Sequence, residues 1–350
     1  MRGLLLASAL LATPAAAQPD LLAAYATPQT LVTLPDGRKL HFHCSGLGGP
    51  LVILDAGWSA SSLAWRSVQP QVATMTRVCA MDRAGMGFSS PGPLPRDAAA
   101  IVDDLHAALQ TPDFPGPYIL VGHSLGGMSL RLYASRYPDQ VAGMVLVDPA
   151  NPHQDRRFAA VSPTVAAVTQ GEITTSRRCA DLAKAGTLKP GGEGWAACGG
   201  DPPTEWPDAL RAHLIAQRLD PAAAEQRLSE IESVAEPNSA QVESAKTSLG
   251  DIPLIVLTAE GTSKDPSIPA ADQPAVARLW SWMHDEAAAL STGGSNRLVL
   301  GAGHNIQSEK PDVVIGAISE VILKARAKAL AKIAEKPPIA PAPESSDYRR

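Results

Sequence analysis

Three observations predict an α/β fold with a doubly wound, mostly parallel sheet and a helical lid insertion. Short apolar runs alternate with helical patterns through most of the chain, which puts helices on both faces of a sheet. The stretch 118–133, YILVGHSLGGMSLRLY, reads as strand, tight turn and helix. The polar residues able to do chemistry follow the ends of apolar runs, where open α/β sheets bind ligands.

The first residues stand apart from that rhythm. Met1, Arg2 and Gly3 carry a positive charge, 4–11 is a short apolar core, and Ala15, Ala16 and Ala17 form a small-residue cleavage pattern. The expectation is a secretory signal peptide over 1–17, cut after Ala17, and a periplasmic or secreted protein. Elsewhere no run reaches the roughly 18 apolar residues that a membrane span needs. The net charge of −5 over 350 residues offers no basic face for nucleic acid. Oligomeric state has no signature here.

The core then opens with a hairpin. A strand at 31–34, the Asp36-Gly37 turn and an alternating strand at 39–45 follow in order. The run 51–55 (LVILD) is apolar throughout, as a strand buried on both faces is. A helix is expected over 61–73, a strand over 77–81, and a helix over 96–110 with Ile101, Leu105 and Leu109 on one face. A strand over 141–147 ends at Asp148-Pro149.

From 151 to 249 the strand rhythm stops, and Ala, Pro, Gly and charged residues dominate, with helical patches at 207–219 and 221–234. An insertion between two sheet strands would sit over the site as a lid. Strands at 252–257 and 297–300 and helices at 274–290 and 311–333 complete the second part of the core. The division expected is thus core 18–150, lid 151–249, core 250–334 and a disordered Pro-rich tail 335–350.

Gly122-x-Ser124-x-Gly126 has the spacing of a nucleophile elbow. A serine at the apex of so sharp a turn leaves no room for side chains two positions away on either side. Its hydroxyl needs a base. Of eight histidines, His304 is the best placed, after the last strand in Gly301-Ala302-Gly303-His304. His123 adjoins the serine but is expected to point away along the turn. His41 and His43 belong to the hairpin, His106 to a surface helix, and His153 could line the pocket. The base in turn needs a carboxylate to fix its tautomer. Asp148 is preferred, with Asp265 and Glu260 as alternatives after the next strand. The oxyanion donors expected are the backbone N–H groups of Leu125 and Trp58, with the Trp58 indole facing the acyl pocket.

Four cysteines, Cys44, Cys79, Cys179 and Cys198, allow three full pairings and have no CxxC spacing, so no metal site is expected. Cys179 and Cys198 flank a Gly/Pro-rich loop that a bridge would staple.

The segments AGWSASSLAW (56–65), MDRAGMGFSS (81–90), GHSLGG (122–127), VLVDPANP (145–152) and GAGHNIQ (301–307) occur in an order that resembles the α/β-hydrolase fold superfamily, over about residues 30–330. The resemblance implies eight strands in the order 1-2-4-3-5-6-7-8, a lid after the sixth, and a triad of Ser124, His304 and an acid. The loop after the third strand resembles the bacterial branch with AG-x rather than HGGG. Members whose acid follows strand six support Asp148. A haloalkane dehalogenase is not implied, because its nucleophile is a carboxylate. The implied adjacency of strands two and four brings Cys44 and Cys79 within bridging range.

The function expected is an exported serine hydrolase acting on a small-molecule carboxylic ester, with amide or lactone as variants and no cofactor. The alternatives are an aminopeptidase of the proline iminopeptidase type, with Glu172, Glu193 and Glu205 as available lid acids, a cofactor-free lyase or perhydrolase, and a non-enzymatic ligand-binding protein.

Overall fold

The structure, a computed structural model, describes residues 21–245 and 248–334. The expected signal peptide and the Pro-rich tail lie outside the described residues. Eight strands form one sheet: β1 (Thr30–Thr33), β2 (Lys39–Ser45), β3 (Leu51–Asp55), β4 (Val78–Asp82), β5 (Tyr118–His123), β6 (Val141–Val147), β7 (Leu254–Ala259) and β8 (Gly294–Val299). Their order is β1-β2-β4-β3-β5-β6-β7-β8, as the resemblance implied. β2 runs antiparallel to both β1 and β4, and every other pair is parallel.

The continuous apolar runs are explained by burial on both faces. Leu51 and Ile53 of β3, Tyr118 and Leu120 of β5, and Met144 and Leu146 of β6 enter one core cluster. Their alternates Val52, Leu54, Ile119, Val121, Val145 and Val147 enter the opposite one. This is the period-two alternation of a pleated strand, with no polar face left over. On the first face lie α2 (Ala98–Leu109), capped by Asp97 through Ala100 N–H, and α3 (Leu125–Arg136). On the second lies α11 (Pro311–Ala334), through Val314, Ile318 and Val321.

Three elements depart from expectation; one is β8, which begins at Gly294, three residues before the expected 297. Instead of one helix over 61–73 there is a 3-10 turn (Ser62–Trp65) and then a single turn, α1 (Gln69–Val72). Pro70 is the reason: it is tolerated in a first helical turn but not in a helix interior. β7 starts at Leu254, two residues late, because Pro253 has no N–H for the ladder.

Between β6 and β7 the chain forms α4 (Gln154–Ala159), α5 (Pro163–Lys184), α6 (Asp208–Leu219), α7 (Pro221–Val234) and α8 (Glu236–Ser244). The last two are bound firmly to the core. Ile231, Val234 and Val242 join the sheet's first cluster. Asn238 Oδ1 accepts from Ala98 N–H at 2.7 Å, and Gln226 exchanges two hydrogen bonds with the Gly92 backbone. α5 is anchored differently, by the Cys179–Cys198 disulfide and a small cluster around Trp195 and Leu188. A second disulfide joins Cys44 to Cys79, which face each other across β2 and β4. α9 (Gln273–Ala288) and α10 (Ile306–Glu309) follow β7 and β8.

Candidate active site

The parallel strands bring Ser124, Asp148 and His304 to one rim of the sheet. Ser124 sits between β5 and α3 at φ 51°, ψ −120°. Such a backbone costs a non-glycine residue about 1–3 kcal/mol, so its surroundings must hold it. They do: Ser124 N–H donates to Val147 O at 3.1 Å, and Ser124 O accepts from Ala150 N–H at 3.0 Å. The neighbouring glycines are required by contact. A Cβ on Gly122 would stand 2.6 Å from the Gly126 carbonyl, and one on Gly126 would stand 2.5 Å from the carbonyl oxygens of Asp55 and Ala56.

Asp148 directly follows β6, with φ 41° and no exposed surface. Four donors occupy its carboxylate. Oδ1 accepts from Ala259 N–H and Trp280 Nε1–H, both at 2.8 Å. Oδ2 accepts from the Thr262 hydroxyl and His304 Nδ1–H, both at 2.7 Å. Burial alone would raise this carboxyl; the His304 hydrogen bond and charge, with His284 and Thr262, outweigh it and hold the group below the ordinary range. An ionised carboxylate only accepts, so His304 presents its proton at Nδ1 and its lone pair at Nε2. Among the described residues Nε2 has no partner, and the side chain is 40% exposed.

Neither alternative acid reaches this histidine. Glu260 is held by Lys264 Nζ at 2.8 Å and by Gly301 N–H at 3.0 Å. Asp265 accepts from the backbone and hydroxyl of Ser267. His153 does not line the cavity; its Nε2 lies 2.9 Å from Glu243 on α8. His123 corrects the expectation that it points away. Its Nε2–H donates to the His304 carbonyl at 3.0 Å, its ring lies 4.7 Å from the His304 ring, and it lines the cavity. Burial, reinforced by His304, pushes its pKa down to about 3, so it is a neutral spacer packed against His304.

A cavity of about 360 Å³ opens over Ser124 and His304, walled mainly by Trp58, Phe158, Ile231, Val234 and Ile268. The Trp58 ring is part of the wall, but its indole N–H turns to the Arg227 carbonyl of α7 at 2.7 Å. Trp58 and Leu125 both line the cavity, and neither backbone N–H has an acceptor among the described residues. Of the lid acids, Glu172 lines the cavity, and loss of water around it raises its carboxyl. Glu193 instead pairs with Arg178 at the surface, and Glu205 is exposed away from the cavity.

Sequence reasoning missed the support of the loop after β3. Buried Arg83 donates to the carbonyls of Ala56 and Gly57 at 2.6 Å each, pairs with Asp55 at 2.8 Å and holds Glu230 of α7 at 2.7 Å. Glu230 in turn accepts from Ser59 N–H. The only signal was the position of Arg83 just past a strand end. Thr262 and Trp280, which fix Asp148, carried none.

A family model described as the alpha/beta hydrolase fold matches residues 50–184. A Bacillus subtilis (strain 168) protein of uncharacterized activity, YqjL, is 33% identical over 116 residues, 33% of this chain and 46% of its own length. The pimeloyl-[acyl-carrier protein] methyl ester esterase of Chromobacterium violaceum is 40% identical over 99 residues, 28% of this chain and 37% of that protein. The (lyso)-N-acylphosphatidylethanolamine lipase of Bos taurus is 31% identical over 153 residues, 41% of this chain and 43% of that one. The matches thus span less than half the length of these relatives. In three dimensions, a thermophilic esterase from Thermogutta terrifontis aligns over 85% of this chain and 99% of its own, with a TM-score of 0.56 and 22% identity.

Proposed function

This chain is an α/β-hydrolase by fold, and on that premise we propose that it is a serine hydrolase of carboxylic esters, with Ser124 as nucleophile, His304 as base and Asp148 as the acid that orients it. The observation that carries this reading is the Asp148-oriented His304 sharing a cavity with a serine held in a strained turn. The Ser124 hydroxyl adds to the ester carbonyl while His304 Nε2 takes its proton. The backbone N–H groups of Trp58 and Leu125 receive the oxyanion, and removing one such donor typically costs about 10²–10³ in kcat. Collapse breaks the ester C–O bond, and His304 returns the proton to the departing alcohol. Water then adds to the acyl-enzyme with His304 again as base, releasing the acid and restoring Ser124. Side chains, backbone amides and water account for every step.

The helices over 151–249 act as a lid in this reading, because α4, α5 and α7 contribute Phe158, Glu172 and Ile231 to the cavity wall. Export is part of the proposal as well. Two disulfides suit an oxidising compartment, in keeping with the leader expected from the sequence.

The test is a series of p-nitrophenyl esters of graded chain length beside proline p-nitroanilide, assayed with the wild-type chain and Ser124→Ala. Ester turnover by the wild type and none by the variant is expected. Turnover of the anilide alone, or ester turnover that survives in the variant, would refute the assignment.

A further inference from the structure

Next to the catalytic cavity lies a second one of about 320 Å³, between the segment after Trp58 and the helices α6 and α7. Ala60 and Ala64 line both, so the two are neighbours across one stretch of backbone. Their walls differ in kind. The first is mainly apolar, whereas the second carries Arg66, Arg218 and Arg227 together with Ser59, Ser61 and Gln217, and no carboxylate.

None of the three arginines forms an ion pair among the described residues. Arg66 Nη1 reaches the Leu63 carbonyl at 3.3 Å, and Arg227 Nη1 reaches the Gln217 carbonyl at 3.3 Å. Arg218 Nη1 is buried and has no partner. A buried guanidinium N–H without an acceptor is costly and uncommon. The carboxylates that act on this group from a distance are engaged elsewhere. Asp201 accepts from Trp195 Nε1–H, Asp220 caps α7 through Ala222 N–H, and Glu230 holds Arg83. Burial lowers the pKa of both Arg218 and Arg227, and Arg218 adds to the effect on Arg227. Three partly buried cations without a counter-ion, in a chain of net charge −5, form a site that an anion would complete.

We infer that this cavity is an anion-binding subsite, and that the ester substrate carries a carboxylate or phosphate on the part distant from its reacting carbonyl. The inference rests on the esterase reading for the substrate but not for the anion site. Arg218, which makes no hydrogen bond among the described residues, supplies the central charge, Arg66 and Arg227 supply flanking charge, and Ser59 and Ser61 complete the polar wall.

The experiment has two arms. In the first, kcat/KM is measured for mono-p-nitrophenyl adipate and for p-nitrophenyl hexanoate, which match in chain length but differ in charge. A preference of about tenfold for the anionic ester is expected, from one charge-assisted contact, and it shrinks as salt screens the site. Arg218→Gln and Arg66→Gln each pull the ratio toward one. In the second arm, adipate and inorganic phosphate are titrated calorimetrically into the Ser124→Ala chain, which separates carboxylate from phosphate recognition. One-to-one binding of either anion, lost on adding Arg218→Gln, supports the site. A ratio of one or less, a ratio that both variants leave intact, or no binding of either anion overturns the inference. If neither ester is cleaved while an anion still binds through Arg218, the esterase reading falls and the anion site stands.

Discussion

Among the described residues there are two histidine–aspartate pairs of nearly the same geometry and very different surroundings. His304 Nδ1 lies 2.7 Å from Asp148 Oδ2, and His41 Nδ1 lies 2.6 Å from Asp82 Oδ2. Both aspartates stand at or just beyond a strand end and are fully buried. The difference is at the other ring nitrogen. His41 Nε2 accepts the Gln29 N–H at 3.0 Å, inside a side-chain pair only 1% exposed. His304 Nε2 is unpaired beside a cavity that also holds Ser124. A carboxylate on Nδ1 therefore does not make a base. In the proposed mechanism it is the open Nε2 beside the Ser124 cavity that lets His304 serve as base, whereas the His41–Asp82 pair ties the hairpin to the end of β4.

Substitutions can break that comparison. Asp148→Asn should lower kcat by about 10⁴-fold, because an amide turned toward His304 favours the wrong tautomer; steady-state kinetics on a p-nitrophenyl ester measures it. Asp82→Asn should spare kcat of the folded enzyme. It should instead cost about 3–5 kcal/mol of stability, read by urea unfolding, because Asp82 also accepts from the Ser62 and Phe88 N–H groups and breaking a buried pair leaves unpaired groups. Asp265→Asn and Glu260→Gln should change kcat by about twofold or less, since neither touches His304. A loss as large as that of Asp148→Asn would move the acid to the other loop.

A separate effect is in pH. Burial depresses the pKa of His123 to about 3 and of His43 to about 4. Below the ordinary histidine value of about 6.5 the unfolded chain binds protons that the native state refuses. Stability is therefore complete above that pH and falls as pH drops from about 6.5 toward 4. Thermal melts between pH 7 and 4.5 should show the decline, and His43→Gln should flatten it.

The sheet was legible because its runs are buried on both faces, and a strand such as 118–121 has no other use for four consecutive apolar residues. Ser124 and His304 could be put forward as candidates because glycines mark the turns that carry them. The acid was narrowed but not fixed, since Asp148, Glu260 and Asp265 all follow strands. They are told apart by the three-dimensional contact of Asp148 with His304 and by the separate partners of Glu260 and Asp265. The orientation of His123 and the Arg83 network were hidden for the same reason. Each depends on partners up to 181 residues away, which no local pattern encodes. The helix expected over 61–73 failed on Pro70 alone.

The proposed mechanism requires that Ser124, and no other residue, is the nucleophile. Incubation with a fluorophosphonate followed by intact-mass and peptide mass spectrometry tests it directly. One adduct is expected, mapped to Ser124, and none on the folded Ser124→Ala protein; an adduct retained by that variant would overturn the assignment.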